Sequence, residues 1–179
     1  VTFCVPFSET MQSHPSLLIV WHSRTGAAQQ MAQAAAQGAR QAMRELEDSR
    51  LELHLCRARD VDATRLVAAS GYIFCAPENL GTISGEMKEF FDRHYYDVLD
   101  RIAGRPYGLL IAAGTDGTGA QRQMERIATG WRLRAIAPAI IGRNGAQTPE
   151  AILAPKSIAP DVRAQCEEMG GTLAATLLL

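Results

Sequence analysis

The sequence predicts an α/β protein built on a doubly wound, five-stranded parallel sheet, order 2-1-3-4-5, with helices on both faces. Two observations predict it. Apolar, strand-like runs alternate with helical patterns five times along the 179 residues, and such alternation feeds right-handed crossovers between parallel strands. Three of the turns that leave those strands are also rich in glycine and hydroxyl residues. In a parallel sheet these turns share the carboxyl edge, where ligands bind. No linker, internal repeat or low-complexity block divides residues 15–179, which read as a single domain.

The first strand is Leu17 to Trp21, a continuous apolar run of the kind buried on both faces. A helix is expected from Thr25 to about Leu46, with Ala28, Met31, Ala32, Ala35, Ala39 and Ala42 on one face. Leu51 to Leu55 alternates and reads as a half-exposed edge strand. Arg57 to Asp62 is a polar connection, followed by a short helix over 62–69. Gly71 to Ala76 is the third strand, and Pro77 is expected to end it, because proline cannot donate to the ladder. Glu78 to Gly85 reads as a polar loop. Ser84 is the expected N-cap of a helix whose Met87, Phe90, Phe91, His94, Tyr95 and Val98 share a core-facing side.

Tyr107 to Ala113 is the fourth strand; Gly114 to Gly119 is a second glycine-rich turn, with a helix from near Ala120. Leu133 to Ile141 is the fifth strand, and Pro138 within it suggests an edge or a bulge. Residues 142–158, rich in Gly, Pro and Asn, read as a long excursion, and Asp161 opens a final helix to about Leu178. Val1 to Thr10 match no element, so residues 1–14 are expected to be an irregular extension, with Met11 a candidate start.

Composition narrows the function. Hydrophobic residues are 47%, charged residues 21% and the net charge is -1, ordinary for a globular protein. A nucleic-acid binder would show a basic patch or stripe. No apolar run approaches the ~20 residues of a membrane span, and the N-terminal stretch lacks the basic and apolar regions of a secretory signal. Cys4, Cys56, Cys75 and Cys166 are isolated, read as small buried hydrophobes, and fit a reducing cytoplasm. His14, His22, His54 and His94 show no zinc spacing, so no metal site is expected. His22 adjoins the first loop and reads as solvated or bonded to backbone rather than as an anion ligand.

The three polar turns follow strands one, three and four, which are neighbours in the expected order. In the first, Ser23 and Thr25 supply hydroxyls and Arg24 a charge. Gly26 permits close backbone approach, and the amides of the nascent helix, on which Ala27 and Ala28 lie, favour a phosphate. The nucleoside-triphosphate motif is excluded because no lysine follows Gly26, and the dinucleotide fingerprint GxGxxG is absent. A phosphatase loop at Cys75 would want an arginine where Gly81 stands. The second turn offers Pro77, Glu78, Asn79, Leu80, Gly81, Thr82 and Ile83, a mixed polar and apolar wall suited to a planar ring. Gly114, Thr115, Asp116, Gly117 and Gly119 make the third.

Ser23-Arg-Thr-Gly-Ala-Ala28, Ala76-Pro-Glu-Asn-Leu-Gly-Thr-Ile-Ser-Gly85 and Ala113-Gly-Thr-Asp-Gly-Thr-Gly119 resemble the three FMN-binding loops of the flavodoxin-like NAD(P)H-dependent reductases. That group contains the FMN reductases and the NAD(P)H:quinone oxidoreductases. The resemblance covers roughly residues 17–178, and its most specific part is the middle loop with Met87-Lys-Glu-Phe-Phe-Asp-Arg93. It implies a flavodoxin-like fold, FMN phosphate on 23–28, the isoalloxazine edge on 77–83, and ring or ribityl contacts from 114–119. It also implies NAD(P)H as co-substrate, a small electron acceptor such as a quinone or flavin, and a homodimer or homotetramer. Two departures stand out: Ala28 occupies a place where the family often has a hydroxyl, and residues 140–145 lack the histidine that often faces the flavin in the quinone reductases.

In such an enzyme the chemistry resides on the flavin, so no catalytic side chain is expected. Two other readings are an electron carrier of flavodoxin type and a flavodoxin-like interaction module without a redox flavin. The carriers are strongly acidic and stack the ring between loop aromatics, whereas loops 77–85 and 114–119 contain no aromatic residue.

Overall fold

Each parallel strand reads as an apolar run because helices cover both of its faces, and β3 (Gly71–Asn79) shows this most clearly. Tyr72, Phe74 and Ala76 point into one core, Ile73 and Cys75 into the other, and all five are buried. The computed structural model describes residues 14–179, so the expectations for Val1 to Thr10, Met11 and Cys4 lie outside the described residues. β3 is flanked in parallel by β1 (Ser16–Trp21) and β5 (Pro106–Ala113). β2 (Glu52–Arg57) forms the half-exposed edge beyond β1.

The fifth place in the sheet is divided. Where one strand over 133–141 was expected, β6 (Arg134–Ala135) and β7 (Ile140–Arg143) pair in parallel with successive parts of β5. Pro138 falls in the gap, where a residue without an N–H interrupts the ladder. The numbered order is therefore β2-β1-β3-β5-β6, with β7 also on β5, and the five places of the expected order are kept.

One layer comprises α2 (Ala63–Ala68), α3 (Gly85–Val98) and α4 (Thr118–Gly130). It encloses an aromatic core in which Phe74 lies 5.1 Å from Phe91 and 6.2 Å from Trp131, centroid to centroid. The other layer comprises α1 (Ala27–Glu45) and α6 (Pro160–Leu178). Here alanines replace aromatics, so the helices approach the sheet and each other closely. No helix among the described residues is long and apolar enough to cross a membrane.

Other expectations are corrected as well. Pro77 does not end β3: it remains in register opposite Ala112, and its carbonyl accepts the N–H of Ser84 at 3.1 Å. A proline near a strand end gives up one donor and keeps its acceptor. The polar loop after it is a hairpin, in which β4 (Thr82–Ile83) folds back antiparallel on Glu78 and Asn79. Leu80 and Gly81 turn the chain with φ of 52° and 75°, the two left-handed residues of a type I′ turn. The helix starts also shift: α1 begins at Ala27 rather than Thr25, and α4 at Thr118 rather than Ala120.

The contact between α1 and α6 is made backbone to backbone. A Cβ on Gly170 would lie 1.8 Å from the carbonyl oxygen of Ala35, and one on Gly38 1.8 Å from that of Glu167. At Gly171 the nearest atom would be 3.5 Å away, an ordinary contact. Adjacent glycines on one helix should therefore respond with opposite sign. Gly170→Ala is expected to destabilise the protein by about 1–3 kcal/mol through overpacking. Gly171→Ala is expected to stabilise it by roughly 0.5–1 kcal/mol through helix propensity. Urea unfolding midpoints of the two variants measure both.

Candidate functional site

The first and third loops solve the same local problem in the same way. Gly26 and Gly117 each precede a helix in the left-handed region, with φ of 100° and 89°. An L-residue other than glycine is strained there, so both glycines serve to aim the first amides of a helix at the carboxyl edge. Those amides have no intrahelical acceptor.

The two helices differ in what meets them. At α4, Glu78 from the second loop reaches across, and its two carboxylate oxygens accept the N–H groups of Gly117 and Ala120 at 2.9 and 3.1 Å. At α1 there is no side-chain cap and no acidic residue in the first turn. Asp62 and Thr148 cap α2 and α5 (Pro149–Leu153), and Glu86 and Asp161 lie in the first turns of α3 and α6. Among the described residues, α1 is the one helix whose positive end is met by no acid: the Ser23 hydroxyl accepts the Gly26 N–H at 3.0 Å, and no side chain takes the amides of its first turn.

That end opens on a cavity of about 410 Å³ at the carboxyl edge. Its floor brings together Ser23, Arg24, Thr25, Ala27 and Ala28 from the first loop, Pro77 to Leu80 from the second, and Gly114 and Thr115 from the third. The convergence expected from the strand order is thus present. The remaining expected residues do not line the cavity but shape it. Gly26 makes the turn, Gly117 is held by Glu78, and Gly119 packs so closely on Gly81 that a Cβ would sit 1.9 Å from its carbonyl oxygen. Ile83 is buried, with its N–H bonded to Gln123. The Thr82 hydroxyl donates to Asn79 within the hairpin, and Asp116 accepts the Thr118 hydroxyl. A larger hollow of about 600 Å³ between α1 and α6, bordered by Glu45, Glu167 and Glu168, lies away from all three loops.

The sequence did not place the cavity's roof. The expected excursion over residues 142–158 forms a strap that carries one short helix. One foot stands on the third loop, where Asn144 and Gly145 donate to the carbonyls of Ala113 and Gly114 at 3.0 and 2.7 Å. The other stands on the first, where the Lys156 N–H donates to Thr25 at 2.8 Å and Gln30 bonds to the backbone of Lys156 and Ile158. Between them runs α5, whose Ile152 and Leu153 face the cavity. Thr148-Pro149-Glu150 is a hydroxyl cap with proline in the first turn, a start signal present in the sequence.

His22 is neither solvated nor bonded through its ring to backbone. Its Nδ1 is 2.8 Å from the hydroxyl of Ser84 and its Nε2 3.7 Å from Glu86. Ser84 occupies the N-cap position of α3, yet its side chain makes no capping bond and holds His22 instead. Burial lowers the His22 pKa from 6.5; Glu86 opposes the shift, and Arg57, Arg24 and Arg59 add to it. A folded-state pKa below the unfolded one stabilises the fold at high pH, and that stability fades as pH falls through the folded value. Unfolding midpoints between pH 7.5 and pH 5 should therefore fall more steeply in the native protein than in a His22→Gln variant, a difference that urea titrations at several pH values would measure.

The family model described as NADPH-dependent FMN reductase matches residues 22–143. A probable NAD(P)H dehydrogenase (quinone) FQR1-like 2 of Arabidopsis thaliana is 33% identical over 63 residues, 35% of this chain. That match spans 23% of the relative's own length. A flavodoxin from the domain Archaea superposes with a TM-score of 0.72 at 14% identity, covering 92% of this chain and 99% of that one. A WrbA-like flavodoxin of Agrobacterium tumefaciens superposes with a TM-score of 0.68 at 16% identity, covering 92% and 98%. At such identities the superpositions establish a flavodoxin-like fold. The family match covers most of the chain and all three loops, so the chain belongs to the NADPH-dependent FMN reductase family.

Proposed function

We propose that this oxidoreductase passes electrons from reduced nicotinamide, through FMN held in the cavity beneath the strap, to a small acceptor such as a quinone or flavin. FMN as cofactor and NAD(P)H as electron donor follow from the family. The observation that carries the location is the uncapped N-terminus of α1, which opens on a cavity while the matching end of α4 is already neutralised by Glu78. A phosphate fits it: two hydroxyls, an arginine and a row of free amides face the same space, with no carboxylate in that first turn.

In this reading Ser23, Arg24, Thr25, Ala27 and Ala28 hold the phosphate and Gly26 sets the turn. Pro77, Asn79 and Leu80 border the ring, and Gly114 and Thr115 contact the ring or ribityl chain. Glu78, Gly81, Thr82, Ile83, Asp116, Gly117 and Gly119 keep the second and third loops in place. When bound, FMN supplies the redox step, accepting a hydride from the nicotinamide and passing electrons on. The protein's contribution is to bind, orient and exclude water, and the strap serves the last of these by covering the cavity between its two feet.

Aliphatic Leu80, Ile152 and Leu153, rather than aromatic residues, border the cavity. An open ring face suits entry of a nicotinamide and an acceptor better than the stacked ring of an electron carrier. The name of the Arabidopsis relative supports a quinone among the acceptors. Self-association as a homodimer or homotetramer belongs to the same reading on the family likeness alone, since Phe90, Phe91 and His94 of α3 are buried in the protein's own core.

The purified protein is expected to be yellow and to be bleached within seconds by NADPH or NADH under anaerobic conditions. Failure of FMN to bind, or of both donors to bleach it, would sink the reading. Thr25→Glu sets a carboxylate against the phosphate, and like charges held together cost several kcal/mol. FMN affinity should fall roughly 100-fold or more, read by flavin fluorescence after gel filtration.

A further inference from the structure

One cluster of titratable side chains stands next to the first loop without lining the cavity. His22 precedes Ser23 of the first loop, Ser84 follows the hairpin of the second, and both hang from the end of β3. The His22 N–H donates to the Cys75 carbonyl at 3.0 Å and the Ser84 N–H to that of Pro77 at 3.1 Å. The 2.8 Å contact between His22 Nδ1 and the Ser84 hydroxyl therefore ties the first loop to the second. Ser84 is fully buried, and neither residue lines the cavity.

The cluster is one proton short. Glu86, in the first turn of α3, sets Oε2 3.7 Å from His22 Nε2, too far for a hydrogen bond. Its buried Oε1 has no partner among the described residues. A doubly protonated ring would donate from Nδ1 to Ser84 and from Nε2 to Glu86, and both acceptors are already in place. Burial favours the neutral ring, and so does the positive field of Arg57 at the end of β2, Arg24 in the first loop and Arg59 on the one-turn 3-10 helix Ala58–Asp60. Among the described residues, Glu86 is the acid that opposes them.

We propose that His22 is a positioning residue that takes up a proton when the FMN phosphate enters the first loop, and then braces that loop against the hairpin through Ser84 and Glu86. The inference rests on the oxidoreductase reading above. Arg24 belongs both to the cavity floor and to the field that keeps the ring neutral. A phosphate beside Arg24 offsets that field, and its negative charge joins Glu86 in favouring the imidazolium. The proton passes from solvent to the ring, and no other bond changes. Ser84 then accepts from Nδ1 and Glu86 from Nε2, so the loop that seats the phosphate and the loop that borders the ring are held at a fixed spacing. Phosphate binding and protonation of His22 strengthen each other by the same amount, as linkage requires.

The ring protons of His22, assigned through its backbone resonances, report its titration by NMR between pH 5 and pH 8. Their midpoint should move to higher pH with FMN and stay in place with saturating riboflavin, which lacks the phosphate. Glu86→Gln keeps the shape and removes the charge, so it should lower the midpoint in the free protein. By calorimetry at pH 6.5 in buffers of different ionisation enthalpy, FMN binding should draw more protons from the buffer in the native protein than in His22→Gln. That difference separates the ring from the phosphate's own titration. Ser84→Ala should weaken FMN binding roughly 3- to 10-fold. The native titration and Glu86→Gln decide the matter even if His22→Gln does not fold. A midpoint that FMN leaves unmoved, or that riboflavin moves equally, overturns the inference and leaves the functional reading standing. Equal proton uptake in native and His22→Gln proteins, a midpoint indifferent to Glu86→Gln, or unchanged affinity in Ser84→Ala does the same. Failure of FMN to bind at all sinks the functional reading, and this inference with it.

Discussion

A parallel sheet gathers the N-termini of its crossover helices at one edge, and the partial positive charge collected there has to be met by something. This chain meets it helix by helix with its own side chains: Asp62 at α2, Glu86 at α3, Glu78 at α4 and Thr148 at α5. The exception is α1, which offers its first turn to the cavity. The site is thus defined as much by where the protein has placed carboxylates as by where it has left them out. Glu78 shows this best. It comes from the same turn as Asn79 and Leu80, yet it stabilises a neighbouring helix and removes the third loop as a competing anion seat.

The hairpin that carries Glu78 is the most constrained piece of backbone at the site. Leu80 is fully exposed and adopts a positive φ of 52°, an uncommon conformation for a side chain of its size. A glycine or asparagine would be relaxed there. The geometry persists because the turn is held from both ends, by the register of β3 against β4 and by the seat of Gly119 on the Gly81 carbonyl. Keeping an aliphatic residue in that position sets an apolar group at the rim of a floor that mixes polar residues with alanine and proline.

Much of this was legible in the sequence, because periodicity reports burial. The alternation of strands and helices, the edge character of β2 and the break at Pro138 all follow from apolar patterning and from proline's missing donor. The three loops were legible through glycine and hydroxyl residues. Their inner wiring was not, since the carboxylate of Glu78 could equally have faced a ligand, and only its 2.9 and 3.1 Å bonds show that it caps α4. Ser84 misled for a related reason: a hydroxyl at an N-cap position normally bonds its own helix, but here His22 lies close enough to compete. The strap left a local trace in Thr148-Pro149-Glu150, while its path from the third loop to the first depends on contacts distant in sequence.

The glycine contact between α1 and α6 bears on how the molecule is made. Gly38 and Gly170 touch the opposite backbone directly, although most of the polypeptide lies between them. During synthesis, α1 leaves the ribosome long before all of the surface that seats it exists. The sheet strands β1, β3 and β5 take one side of the helix, and the other waits for α6. The first turn of α1, which the proposed reading gives to the phosphate, thus belongs to a helix seated by a segment far from it in the chain.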